Sequence, residues 1–139
     1  MPKPEQYHHE THITVRFADL DVMGHLNHAK YLTFMEQARI LYIQQVCELE
    51  KGWENFGIIL ASLSCDYHQP VAFAEVVSIY TRCNRLGGKS FDLEYVLTNE
   101  KAETVATGKT VLVAFDYHTN QTVPIPEAWR DKITAYEGL

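Results

Sequence analysis

The sequence predicts an α+β domain, with one long helix laid against an antiparallel sheet of five to six strands. Three observations predict it. Residues 11–18 alternate like a half-buried strand, and helical periodicity follows directly behind them. From Gly57 onward, apolar residues alternate in several runs of strand length. Short polar or glycine-bearing turns join those runs, and hairpin joins make neighbouring strands antiparallel.

The elements follow in order. "THITVRFA" (Thr11–Ala18) puts Ile13, Val15 and Phe17 on one side and Thr14 and Arg16 on the other. From Asn27 or His28 to about Lys51, Tyr31, Phe34 or Met35, Ala38, Leu41 or Tyr42, Val46 and Leu49 recur at three- and four-residue steps. Asn27 is a suitable N-cap and Gly52 a suitable stop. A run of roughly 23 residues is about 35 Å long, so this helix is the expected centre of the core. "GIILASLSCDYHQP" (Gly57–Pro70) sets Leu63, Cys65 and Tyr67 against Ser62, Ser64 and Asp66. "EVVSIYTRCNR" sets Val77, Ile79, Thr81 and Cys83 on one face. Gly87-Gly88 is a hairpin turn. "SFDLEYVLT" follows, with Phe91, Leu93, Tyr95 and Leu97 inward. Thr104–Asp116 places Val105, Val111, Val113 and Phe115 on its core face. Pro124 and Pro126 mark a loop before a short amphipathic helix, "EAWRDKITAY". The opposite sheet face (Val76, Tyr80, Val96, Leu112, Ala114) is also apolar, which predicts an oligomer.

Composition sets the bounds. A chain of 139 residues, 46% apolar and 22% charged, is expected to form a single domain over 1–139, with residues 1–10 as a mobile tail. A net charge of −6 argues against a nucleic-acid partner, which needs a basic face. The N-terminal residues lack the apolar segment of a signal peptide, and no apolar run reaches membrane-spanning length. Cys47, Cys65 and Cys83 form no CxxC pair, so free thiols in a cytoplasmic protein are expected, without a disulfide framework or zinc knuckle. His8, His9 and His12 read as a solvated tail, with no carboxylate or thiolate at fixed spacing to complete a metal site.

The densest chemistry lies in "DLDVMGHLNHAKY", Asp19 to Tyr31. Asp21 stands in a loop just before the helix. Read alone, it is either a reactive carboxylate or a loop acid favoured by the positive end of the helix dipole. Asn27 is either a contributor to the site or the N-cap. His25 is either a catalytic helper or a loop-stabilising hydrogen-bonding group. Asp19 is expected to accept from loop amides, and Glu36 with Arg39 to pair along the helix.

Arg16, Phe17, Asp19, Asp21, Gly24, His25, Asn27, Tyr31, Glu36, Ala38 and Arg39 stand here as "RFADLDVMGHLNHAKYLTFMEQAR". With the element order over about 12–120, this motif resembles the hotdog-fold acyl-CoA thioesterases of the 4-hydroxybenzoyl-CoA thioesterase family. The resemblance implies a central helix wrapped by the sheet. It also implies a homodimer or homotetramer with sites between protomers, and thioester hydrolysis to acid and CoA. Asp21 matches the family's catalytic aspartate, which is a nucleophile or a general base depending on the member. The amide that polarises the thioester carbonyl falls on His28, where the N–H matters and the side chain does not. Gly24 lets backbone approach the thioester, His25 orients water or the thioester, and Asn27 and Tyr31 contact substrate. No cofactor is implied; coenzyme A is part of the acyl-CoA substrate.

The stretch is also similar to the active-site segment of plant acyl-carrier-protein thioesterases, whose Asp, Asn and His fall on Asp21, Met23 and His25. Met23 breaks that pattern. The resemblance places the CoA nucleotide near a basic turn, "RCNRLGGKSF", with Arg85, Lys89 and Ser90 as binding residues; an ordinary charged hairpin is the competing reading. Tyr31, Phe34, Met35, Leu60 and Tyr67 are candidates to line the acyl site, and Asp66 with His68 either line it or lie exposed. The alternatives are a carrier-protein thioesterase, a non-catalytic acyl-CoA-binding protein and a structural oligomerisation module. A hydratase would need an Asp/His dyad that the sequence does not show.

Overall fold

The computed structural model describes residues 4–49 and 57–139. Strand β1 spans His9–Thr14 and helix α1 His28–Val46. Strands β2 (Ile58–Tyr67), β3 (Val76–Leu86), β4 (Ser90–Thr98) and β5 (Thr104–Asp116) follow, then a two-residue β6 (Gln121–Thr122) and helix α2 (Glu127–Glu137). The sheet order is β1-β3-β4-β5-β2, antiparallel throughout, with β6 on β5. The long α1 lies in its curve, and this is the hotdog fold.

The core gathers Tyr31, Phe34, Met35, Ala38 and Tyr42 of α1 with Ile79, Phe91, Leu93, Leu97 and Leu112 of the sheet. Met35 sets how close the helix comes. A Cβ on Gly108 of β5 would stand 2.6 Å from the Met35 Cε, so the missing side chain leaves room for the methionine.

Several expectations are corrected. β1 starts two residues earlier and ends at Thr14. Val15 is buried, but Phe17 lies 79% exposed in the 3-10 turn Phe17–Asp19. The tail expected to be mobile through residue 10 is structured from residue 4. Pro4–Gln6 form a 3-10 turn, Tyr7 is buried with Arg82 over its ring, and His9 enters β1. His9 is buried and hydrogen-bonds Gln45 at 2.7 Å, so it is no solvated tail residue.

The α1 helix ends at Val46, not near Lys51, because Glu48 takes a left-handed φ of 53° and Leu49 N–H closes onto Gln44 C=O. Gly52 and Lys51 lie outside the described residues. In β5 the faces are reversed: Leu112 and Ala114 join the core, whereas Val111 and Val113 lie on the other side. Both faces of that strand are apolar, so alternation alone cannot orient it. Val105 does reach the core, as expected.

Helix α2 matches expectation and buries Trp129 and Ile133. Its last carboxylate, Glu137, accepts from the Tyr42 hydroxyl (2.5 Å) and the Cys83 N–H (2.7 Å), tying α2 to α1 and β3. Among the described residues, no helix is long and apolar enough to cross a membrane.

Candidate active site

The site is built from the turn between β1 and α1. Asp19, 1% exposed, anchors it. Its carboxylate accepts from the Arg16 N–H (2.9 Å), Nε (3.2 Å) and Nη2 (2.9 Å), with Lys30 Nζ 3.8 Å away. These partners hold the Asp19 carboxyl below its ordinary pKa, the Arg16 side chain contributing most. Asp19 C=O also accepts the Asn27 N–H at 2.8 Å, which closes the loop at the helix start. Leu26 N–H donates to Val71 C=O, and His25 bridges to Ala72, so the segment before β3 braces the loop from outside.

Inside this closure, Asp21 divides its carboxylate. Oδ1 accepts from Met23 N–H (2.9 Å) and His25 N–H (3.2 Å), while Asp21 N–H donates to His25 C=O (2.7 Å). Oδ2 has no partner among the described residues. Gly24 has φ +81°, a conformation that L side chains adopt at a cost, and a Cβ placed there would meet no protein atom within 4 Å. Its role in the protomer is therefore conformational. Val22 and Met23 form the loop tip, 98% and 76% exposed.

At the helix start, Asn27 is the N-cap. Its Oδ1 accepts the Ala29 N–H (2.9 Å) and its C=O the Lys30 N–H (2.8 Å). The His28 N–H has no acceptor among the described residues. A free donor at the dipole end and a carboxylate with a free oxygen thus belong to the same closed loop. The His25 imidazole is exposed and has no hydrogen-bond partner among the described residues; its backbone, not its ring, stabilises the loop.

Two tyrosines cross behind the helix start. Tyr67, at the end of β2, donates to His28 C=O at 2.9 Å. Tyr31, in the first turn of α1, donates to Gln69 C=O at 3.2 Å. Their rings meet edge to face, 4.9 Å apart. Tyr31 is buried, and burial pushes its phenol up to about 12. The motif resemblance sets Tyr31 against substrate and says nothing of the crossing; two tyrosines at unrelated positions carry no pattern that could reveal it.

The structure does not bring the basic turn to this loop. Arg85 bonds Ser90 Oγ (2.9 Å) and Asp92 Oδ1 (2.8 Å), and Gly87 makes room for it, since a Cβ there would lie 2.5 Å from the Arg85 Nη1. Lys89 is exposed. The turn lies at the far end of the eleven-residue β3 from Glu75, whose C=O accepts the Val15 N–H, roughly 35 Å away along the strand.

Tyr31, Phe34 and Met35 belong to the core, whereas Leu60 and Ile58 line a groove of about 390 Å³ between α1 and β2. Ile40, Ile43, Leu112 and Tyr117 complete its apolar wall, and the Glu36–Arg39 pair (3.3 Å) sits on its rim. Asp66 and His68 lie beside Thr107, on the sheet face away from α1. The buried Cys47 and Cys83 thiols are pushed up to about 12, so neither is a thiolate at neutral pH.

With this geometry in hand, comparison with known proteins gives a consistent result. The family model of the Thioesterase-like superfamily matches residues 15–133. The chain is similar to the long-chain acyl-CoA thioesterase FadM of Escherichia coli, 28% identical over 89% of this chain and 96% of that one. It is also similar to the 1,4-dihydroxy-2-naphthoyl-CoA hydrolase of Thermosynechococcus vestitus, 29% identical over 84% of each. A solved thioesterase of Thermus thermophilus, complexed with coenzyme A and zinc, is 34% identical with a TM-score of 0.86, covering 97% of this chain and 98% of that one. Among the described residues, no three His, Cys, Asp or Glu side chains converge as a metal site would require.

Proposed function

Since the chain belongs to the Thioesterase-like superfamily and is a thioester hydrolase, we propose that it cleaves acyl-CoA to a free acid and CoA at the Asp21 loop. The observation that carries this reading is that one closed loop bears both a free Asp21 oxygen and the unengaged His28 N–H. A water oxygen adds to the thioester carbon, and its proton passes to Asp21. The charge that develops on the carbonyl oxygen is met by the His28 N–H at the positive end of α1. Collapse breaks the C–S bond, and the CoA sulfur takes up the proton held by Asp21. In the other form, Asp21 Oδ2 attacks the thioester carbon and the C–S bond breaks, leaving a mixed anhydride and CoA thiolate; water then opens the anhydride to the free acid and the Asp21 carboxylate, and one of its protons passes to the thiolate. His25, with its ring free, orients water or the thioester, and Asn27 contributes through its cap.

Acyl-CoA is favoured over an acyl-carrier protein by Met23, which stands where that class of site needs an amide. The groove between α1 and β2 takes the acyl group. The edge strand β2, with exposed Leu60 and a side that no strand pairs among the described residues, supports a homodimer, and two such dimers a homotetramer. In that assembly we assign Arg85, Lys89 and Ser90 to the nucleotide of a neighbouring protomer's substrate, because of their distance from their own Asp21.

The test is hydrolysis of short, long and aromatic acyl-CoAs by wild type and Asp21→Asn, with CoA binding followed by thermal shift. Asn keeps the Oδ1 acceptor, so the loop should hold and CoA binding persist, while turnover falls about 10²–10⁴-fold. Binding without turnover in the wild type would make the chain an acyl-CoA-binding protein. Turnover indifferent to Asp21→Asn would remove Asp21 from the chemistry.

A further inference from the structure

The crossing of Tyr31 and Tyr67 does more than fill space. Each hydroxyl donates to a backbone carbonyl on the other's element: Tyr67 of β2 to His28 of α1, and Tyr31 of α1 to Gln69 just past β2. A carbonyl one residue into a helix already has an intrahelical donor four residues on, so Tyr67 satisfies no orphan group there. It takes the second lone pair. Tyr67 is also 46% exposed at the end of an edge strand, where its bond adds little to global stability.

The His28 residue it grips carries the one first-turn N–H that Asn27 leaves uncapped. The His28 C=O shares its peptide plane with the Ala29 N–H that Asn27 caps, so Tyr67 and Asn27 hold that plane from its two edges and, through the His28 Cα, the residue from which the free N–H departs. Together they hold the donor's direction. A donor that is to meet an oxyanion must be aimed before charge develops, because reorganisation at that moment costs rate.

We infer that Tyr67 is a positioning residue for thioester cleavage: its hydroxyl, braced by the Tyr31 ring, sets the direction of the His28 N–H from the edge strand. The inference rests on the reading above that this N–H meets the thioester oxygen.

Tyr67→Phe tests it, since the ring contact to Tyr31 stays and only the hydroxyl goes. The expected result is a kcat lower by about ten-fold, a KM within two-fold of wild type and a melting temperature within about 2 °C. Tyr42→Phe serves as the contrast. It also removes a tyrosine hydroxyl bond on α1, but about 21 Å further along the helix. It should lower the melting temperature and leave kcat unchanged. The His28 amide resonance gives a readout that needs no turnover: its 15N–1H peak should move in Tyr67→Phe and stay in place in Tyr42→Phe.

An unmoved His28 peak overturns the inference, whatever the activity. A moved peak with unchanged kcat overturns it too, as does a raised KM at constant kcat, which would make Tyr67 a substrate contact. A chain that hydrolyses no thioester fails at the earlier reading instead, and the amide peak still decides whether Tyr67 holds His28.

Discussion

Removing the Glu137 carboxylate should unfasten α2 from the rest of the domain, and the structure sets the size of the effect. Glu137 accepts two hydrogen bonds, from the fully buried Tyr42 hydroxyl and from the Cys83 N–H. Burial first, and then the Glu137 bond and charge, push the Tyr42 phenol far above its ordinary value, so the phenol is the donor at every accessible pH. Glu137→Ala leaves both donors without an acceptor, at about 1–2 kcal/mol each, or about 2–4 kcal/mol together. For a chain of this length that corresponds to a melting temperature lower by roughly 10 °C. Tyr42→Phe alone leaves the Cys83 bond in place and should cost about 1–2 kcal/mol.

In the Glu137→Ala background, Tyr42→Phe should cost almost nothing, because its hydroxyl has already lost its partner. The expected coupling is therefore about 1–2 kcal/mol. Urea unfolding of the four proteins, at one protomer concentration so that assembly does not confound the comparison, measures it. Costs that add to within about 0.5 kcal/mol would refute the reasoning, because they would mean that the Tyr42–Glu137 bond contributes nothing beyond its parts.

Two further outcomes are expected. Asp19 and Asp92 both have carboxyls held low, chiefly by the Arg16 and Arg85 side chains. A lowered folded pKa gives stability that is present above the ordinary carboxylate range and lost as pH falls through the folded value. Stability should therefore decline on acidification below about pH 4, and Asp19→Asn should flatten that decline in urea melts taken across pH. Gly24→Ala should cost about 1–2 kcal/mol, from the +81° φ alone, because no protein atom would meet the new methyl; a loss near zero in the same melts would mean that the loop relaxes out of that conformation.

The local structure of the Asp19–Tyr31 stretch was legible because its residue types are those that caps, turns and loop anchors require. Asn27 is the cap, Gly24 takes the left-handed turn, and Asp19 anchors the loop, each for a reason that residue type announces. The hairpin at Gly87-Gly88 and the α2 helix were legible for the same reason. Phe17 misled because it continues the alternation of β1, yet the backbone turns at Arg16 to bring Asp19 under the loop. Leu112 and Val111 could not be oriented, since a strand apolar on both faces has no preferred register in its own pattern. The end of α1 was misplaced because a glutamate, not a glycine, takes the left-handed cap. The Tyr31–Tyr67 crossing was beyond reach, as it depends on where two distant elements meet.

The divided carboxylate of Asp21 has a bearing on descent. One oxygen is bound into the loop, and on the function proposed above the other is the reactive one. An asparagine at position 21 would keep the first and abolish the second. A single nucleotide change separates the two codons, so a hydrolase built this way lies one step from a receptor for its own substrate, with fold, loop and ligand pocket carried over intact.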